Sequence, residues 1–281
     1  VRDIRLVMIL NLAAIPLSLA TNLLLGRTSA EFLGWYGAVQ IFIAAFNTFL
    51  ILGGLPVFSR LVPPMRKGER VSFLLTYGAM IFGLLTAVTA VARLVPGATR
   101  LALGPFGSPH WAMAYCVCVA VLVSSFALYF LYAVERAPQA VVVLKSAIVG
   151  YFAAGLAGTT LARSILTQDP IRFMWWSTLL IYVVAATLGV IFVLQTPEVA
   201  ASARLRAYLP RGFWPVVLYT HVGTIVEFSF SQLYPAMVLL WLDVIALSRL
   251  HAALRFVGFL ALAPVMLTSV LAPGLARLEA A

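Results

Sequence analysis

GRTSAEFLGWYGAVQIF, residues 26–42, breaks an apolar run with one arginine and one glutamate, then re-enters apolar sequence through Gly34-Trp35-Tyr36-Gly37. In a soluble core such a stretch is a loop. In a bilayer it is the hairpin between two crossings. Composition chooses between them. The chain is 63% hydrophobic and 10% charged, with a mean hydropathy of +1.04. Soluble domains run at roughly 45–50% apolar and about 25% charged. A soluble chain of 281 residues has no interior large enough for this apolar surface, so the expected class is an all-α polytopic membrane protein.

A spanning helix needs about 20 mostly apolar residues. Working outward from the opening hairpin, eight segments qualify: 4–25, 33–61, 71–95, 111–134, 139–162, 173–195, 213–240 and 243–271. Gly, Pro and charge mark the breaks, as turns require. They include PPMRKGER at 63–70, ERAPQ at 135–139 and TPEVAASARLRAYLPRG at 196–212. The break between the last two segments rests on Asp243 alone. The first run is too long for the apolar core of a signal peptide, so it reads as a retained helix.

The net charge of +10 is explained by sidedness. With the N-terminus in the cytoplasm, that side carries Arg2, Arg5, Arg60, Arg66, Lys67, Arg70, Arg136, Arg204, Arg206, Arg211 and Arg277. The other carries Arg27, Arg93, Arg100, Arg163 and Arg172. Eleven against five satisfies the positive-inside rule and puts both termini in the cytoplasm. The basic side would then meet membrane lipid, whose anionic head groups attract it. No basic face interleaved with exposed aromatics occurs, which excludes nucleic acid as a partner. Trp35, Tyr36, Trp111, Trp175, Trp176 and Trp214 fall near expected helix ends, where interfacial aromatics belong.

The segment 198–209, EVAASARLRAYL, is too polar to span and too apolar for a free loop. It reads as an interfacial amphipathic helix. The expected organisation is a six-helix lobe over 1–195, an amphipathic cytoplasmic linker over 196–212, and helices 7–8 of an incomplete second lobe over 213–281.

The opening hairpin has an echo about 215 residues later. Gly37-Ala38-Val39-Gln40-Ile41 aligns with Ala252-Ala253-Leu254-Arg255-Phe256, and Pro56-x-x-x-Arg60-Leu61 with Pro273-x-x-x-Arg277-Leu278. Helices 2 and 8 as equivalents imply two lobes related by an axis along the membrane normal, as in parallel-repeat transporters.

These segments carry a family resemblance. The Leu25-Gly26 break, Gly34-Trp35-Tyr36 and the approach to Gly53-Gly54-Leu55-Pro56 resemble the start of polysaccharide-export flippases. LRAYLPRGFWP (205–215) is similar to the linker such proteins place before helix 7. HAALRF (251–256) resembles the helix 8 pattern shared with lipid II flippases, where an arginine projects into the central cavity. The superfamily is that of the multidrug, oligosaccharidyl-lipid and polysaccharide exporters. The resemblance implies a flippase for a polyprenyl-diphosphate-linked oligosaccharide in the bacterial cytoplasmic membrane, working beside a polysaccharide polymerase or glycosyltransferases. Members carry two full lobes of about six helices; this chain stops just past the eighth.

A charge at the bilayer centre costs roughly 2.5–3.5 kcal/mol, so each one needs a reason. Arg255 lies about twelve residues into helix 8, roughly 18 Å along it. It either meets an anionic diphosphate as a bidentate donor or pairs with a glutamate; the resemblance favours the first. Gln40 is its repeat equivalent and would face the same cavity. Arg249 and Lys145 are further cationic candidates, although Lys145 also has the length to snorkel back to lipid phosphate. Asn11, Asn22 and Asn47 either line the cavity or join helices by hydrogen bonds. Glu227 reads as the partner of Arg255 or as a protonatable coupling group. His221 reads as a packing residue or part of that coupling. Gly53-Gly54 should loosen helix 2, either for bending or for close packing.

Cys116 and Cys118 sit two apart on one helix, face different ways and read as small apolar fillers. They make neither a disulfide framework nor a metal cage. No P-loop occurs, the acids are scattered singly, and His110, His221 and His251 share no motif. No catalytic residues, metal or cofactor are therefore expected. The alternatives are a drug/cation antiporter of the same superfamily, which would want an acid deep in helix 1 where only Asp3 stands at the mouth, and a membrane-embedded glycosyl- or acyltransferase. A non-catalytic scaffold is a third class.

Overall fold

A computed structural model describes residues 2–94, 110–160, 169–201 and 206–254. These residues are helical, without strands. In chain order the helices are α1 (Arg2–Thr28), α2 (Ala30–Phe49), α3 (Gly54–Leu61), α4 (Lys67–Leu94), α5 (Trp111–Ala133), α6 (Ala137–Thr160), α7 (Pro170–Leu194), α8 (Pro197–Ala201), α9 (Phe213–Ser231) and α10 (Leu233–Trp241). An eleventh, α11, covers Val244–Leu254.

The helix starts follow from local chemistry. Pro56, Pro138, Pro170, Pro197 and Pro215 all lie in first turns, where a missing N–H is no loss. Ser29 caps α2 by accepting the Phe32 amide at 3.1 Å. Asp169 caps α7 through the Arg172 amide at 3.0 Å, and Asp243 caps α11 through the Ala246 amide at 2.6 Å. Each satisfies one of the donors a helix start leaves open.

Among the described residues, five helices are long and apolar enough to cross a membrane: α2, α4, α5, α6 and α7. The expected count of eight is not reached on these residues. In α1 the apolar stretch is Leu12–Thr28. α9 interrupts its apolar sequence with Thr220, His221, Thr224, Glu227 and Ser229. α11 is described only as far as Leu254.

Two expected segments divide. The 33–61 segment is α2 and α3, separated at Leu50–Gly53. Gly53 takes φ +80° and Gly54 φ +47°, a left-handed backbone that a side chain resists. The Tyr77 hydroxyl donates to the Leu52 carbonyl there, satisfying a group the break frees. The 213–240 segment is α9 and α10, with a turn at Gln232. Pro235 cannot donate to residue 231 and its ring crowds that carbonyl, which ends the first helix.

The body is built on α1 against α6, and on α5, α6 and α7 against one another. Small residues permit the close approach. A Cβ on Gly189 would stand 2.7 Å from that of Ala127, so α5 and α7 touch nearly backbone to backbone, as membrane helices favour. Leu180 (67% exposed), Val184, Ile191 and Leu194 turn an apolar stripe of α7 outward, the reverse of a water-soluble surface.

One end is tied by rings. Phe58 of α3 packs on Phe73 and Tyr77 of α4 and Phe126 of α5, at centroid distances of 5.6, 5.7 and 5.3 Å. Phe213, opening α9, adds to the cluster 5.3 Å from Tyr77. The later helices are thereby seated on the earlier ones, and α9 also contacts α2.

The linker departs from the amphipathic helix expected over 198–209. α8 is a single short helix, and residues 206–210 are non-helical. The cause is a competing set of partners on α4. The Arg206 amide donates to the Ser72 hydroxyl at 3.4 Å and the Tyr208 amide to the Thr76 hydroxyl at 3.0 Å. Glu198 is buried and paired with Arg70 at 3.0 Å.

The aromatics near helix ends differ in how far neighbours cover them. Trp176 and Trp214 are half exposed or more, but Trp175 is wholly buried and Tyr36 nearly so. These last two belong to the interior because helix packing, not depth, sets which side of a helix is covered.

Candidate functional site

A cavity of about 250 Å³ lies between α1, α2, α6 and α7. Its polar wall is Ser18 and Thr21 from α1, Tyr36 and Gln40 from α2, Lys145 and Tyr151 from α6, and Tyr182 from α7. Helical spacing gathers them. Ser18 and Thr21 are three apart, Tyr36 and Gln40 four apart, and Lys145, Ile148 and Tyr151 successive turns of one face. Gln40 lies about 15 Å along α2 from its start, and Lys145 about 12 Å along α6 from its own, at 1.5 Å per residue.

The Tyr36 and Tyr151 rings meet edge to face at 5.0 Å. The Tyr151 hydroxyl donates to the Thr178 hydroxyl at 3.1 Å, and the Thr21 hydroxyl to the Leu17 carbonyl at 2.8 Å. The Gln40 carboxamide lies beside the Tyr151 hydroxyl, yet its buried Nε2 makes no hydrogen bond of normal geometry. No Asp or Glu is among the described residues lining the cavity. None pairs with Lys145 among the described residues either; the ion pair there is Arg70–Glu198.

Other buried polar atoms are open too. Asn22 donates through Nδ2 to the Ser18 carbonyl at 2.9 Å, but its Oδ1 has no partner. Asn47 Oδ1 and His221 Nδ1 are likewise buried without one. Asn47 lies two turns beyond Gln40 on the same face of α2.

The candidates named from sequence therefore divide. Gln40 and Lys145 come together in the cavity. Asn22 and Asn47 are near it in sequence but do not line it. Arg249 and Glu227 are exposed. Asn11 is in α1, its side chain outside those described, and Arg255 lies outside the described residues, so its pairing with Glu227 is not placed. α11 nevertheless runs beside α2 and in the same direction, with Gly34 against Val244 and Gly37 against Leu247 and His251.

Sequence reasoning missed the three tyrosines and the two α1 hydroxyls. The available signal was polar tips recurring at three- and four-residue spacing within apolar runs, which marks a shared face but not what it faces. Two further clefts, of about 280 and 700 Å³, are lined almost wholly by apolar side chains of α2, α4, α5 and α7.

No family model matches the chain, and neither a curated protein nor a solved structure does.

The arrangement offers an ammonium, a carboxamide and hydroxyls to a ligand, with no fixed negative charge among them. Such a set stabilises an anion through charge-assisted hydrogen bonds and would repel a cation.

Proposed function

We propose that the protein is a membrane carrier that moves an anionic amphiphile between leaflets, in the manner of a flippase for a polyprenyl-diphosphate-linked oligosaccharide. The single observation that carries this reading is one cavity shared by Lys145, without a carboxylate partner and about a third of the way along α6, and Gln40 Nε2, without a hydrogen bond of normal geometry and about halfway along α2. An unpartnered buried polar atom costs about 1–3 kcal/mol, and a charge at depth costs more. Retaining both in one place is understandable if a ligand completes them.

Three sequence segments that resemble flippases of this superfamily point the same way. In this reading the cavity opens to each face in turn as the two sets of helices rock about α2. The membrane is the cytoplasmic one, with both termini inside. A positive cavity favours this substrate over the cation of an antiporter. A transferase would want clustered acids or histidines, and no three such side chains gather among the described residues.

The test is protein-dependent transfer. Vesicles holding the full chain are loaded with a fluorescent polyprenyl-diphosphate sugar, and the label reachable by an impermeant quencher is followed in time. The reading predicts exchange between leaflets well above protein-free vesicles. Equal rates contradict it.

A further inference from the structure

The cavity is small for the substrate class proposed above. Its 250 Å³ falls below the roughly 300–1,000 Å³ of sites for drug-sized ligands. A glycan with several rings and a long isoprenoid tail does not enter it whole. What enters must be compact.

The donors say which part. Thr21 and Tyr151 have already committed their hydroxyl protons to Leu17 and Thr178. Those of Ser18 and Tyr182 are not given to any acceptor among the described residues. Gln40 Nε2 is buried beside the Tyr151 hydroxyl and makes no hydrogen bond of normal geometry. Lys145 brings its ammonium hydrogens and a full charge, from a different helix and without a carboxylate to neutralise it. Four helices thus bring donors to one small volume. A neutral sugar would also need acceptors in number, whereas a phosphoryl group presents only acceptors and a negative charge.

We propose that this cavity is a site for one compact oxyanion, a phosphoryl or diphosphate group, held by Lys145, Gln40 and Tyr182. Among the described residues, the site is built by α1, α2, α6 and α7. Sugars and tail remain outside it. The inference rests on the carrier reading for the claim that the group arrives on a lipid; the same chemistry would hold free diphosphate.

Equilibrium binding to the full chain purified in detergent tests it, with inorganic pyrophosphate and farnesyl diphosphate as probes. Wild type is compared with Lys145→Met, Lys145→Arg and Gln40→Leu, each checked for an unchanged melting transition. Lys145→Met should weaken binding about tenfold or more, as expected for losing a charged hydrogen bond. Lys145→Arg should recover most of it, and Gln40→Leu should fall between. A purely structural lysine would not show that order. Preference for farnesyl diphosphate identifies a lipid head group, and equal affinity a free anion. Binding of neither probe, or undiminished binding by Lys145→Met, overturns the site. If pyrophosphate binds as described but vesicles show no leaflet exchange, the carrier reading fails alone. If exchange proceeds and binding ignores Lys145, the site fails alone.

Discussion

Gly34 of α2 lies against the backbone carbonyl of Val244 in α11, so closely that a Cβ at position 34 would overlap it. Backbone cannot swing aside as a side-chain tip can, so α11 would have to withdraw. Gly34→Ala should destabilise the protein by about 1–3 kcal/mol, the usual cost of overpacking. Gly83→Ala is the control, since a Cβ there meets nothing within 4 Å. Denaturation midpoints in detergent should fall for the first and hold for the second. Equal midpoints would mean that α11 is not docked this way.

The α2–α3 break depends on Tyr77. Its ring packs on Phe58, Phe126 and Phe213, and its hydroxyl answers the Leu52 carbonyl. Tyr77→Phe keeps the packing and strands the carbonyl. A loss of about 1–3 kcal/mol is expected for a buried acceptor left unpaired. Hydrogen exchange of the 50–54 amides should rise with it; no change in either would remove the hydroxyl from the account of the break.

Arg70 holds the linker to the start of α4. It reaches Glu198 at 3.0 Å and the carbonyls of Pro63 and Met65 at 2.9 and 3.1 Å. The side chains are 18% and 5% exposed, so water screens the pair little. A double-mutant cycle on Arg70→Ala and Glu198→Ala should give a coupling of about 1–3 kcal/mol. A coupling near zero would mean the linker is held by Ser72 and Thr76 alone.

Much of this architecture was legible in the residues. Apolar runs located the long helices because length and polarity settle what can span. Gly53-Gly54 marked where helix 2 would loosen, but not that the segment would divide there. Gln40 and Lys145 stood out as polar groups where none is cheap. What stayed hidden depends on partners. Tyr36 and Trp175 looked like interfacial aromatics because position along a helix does not say which side a neighbour covers. The 206–209 stretch looked helical because its backbone partners, Ser72 and Thr76, are far away in sequence. Tyr151 and Tyr182 were silent, since a tyrosine in an apolar run suits lipid, core and cavity alike. Arg255, the leading candidate by sequence, lies outside the described residues.

The carrier account also predicts how transport should respond to charge. Lys145→Met should slow leaflet exchange of the labelled lipid at least about tenfold if the ammonium meets the head group. Arg249→Ala should leave exchange near wild type, because Arg249 is exposed and does not line the cavity. The reverse ranking would move the site to α11.

The most direct measurement is whether water reaches the cavity from the faces of the membrane. Cys116 and Cys118 are replaced, Ser18→Cys is introduced, and reconstituted vesicles are treated with a charged, impermeant methanethiosulfonate. The account predicts labelling by the impermeant reagent from either face as the cavity opens to it, slowed by farnesyl diphosphate. Labelling only by a membrane-permeant reagent, with no protection by the diphosphate, would contradict it.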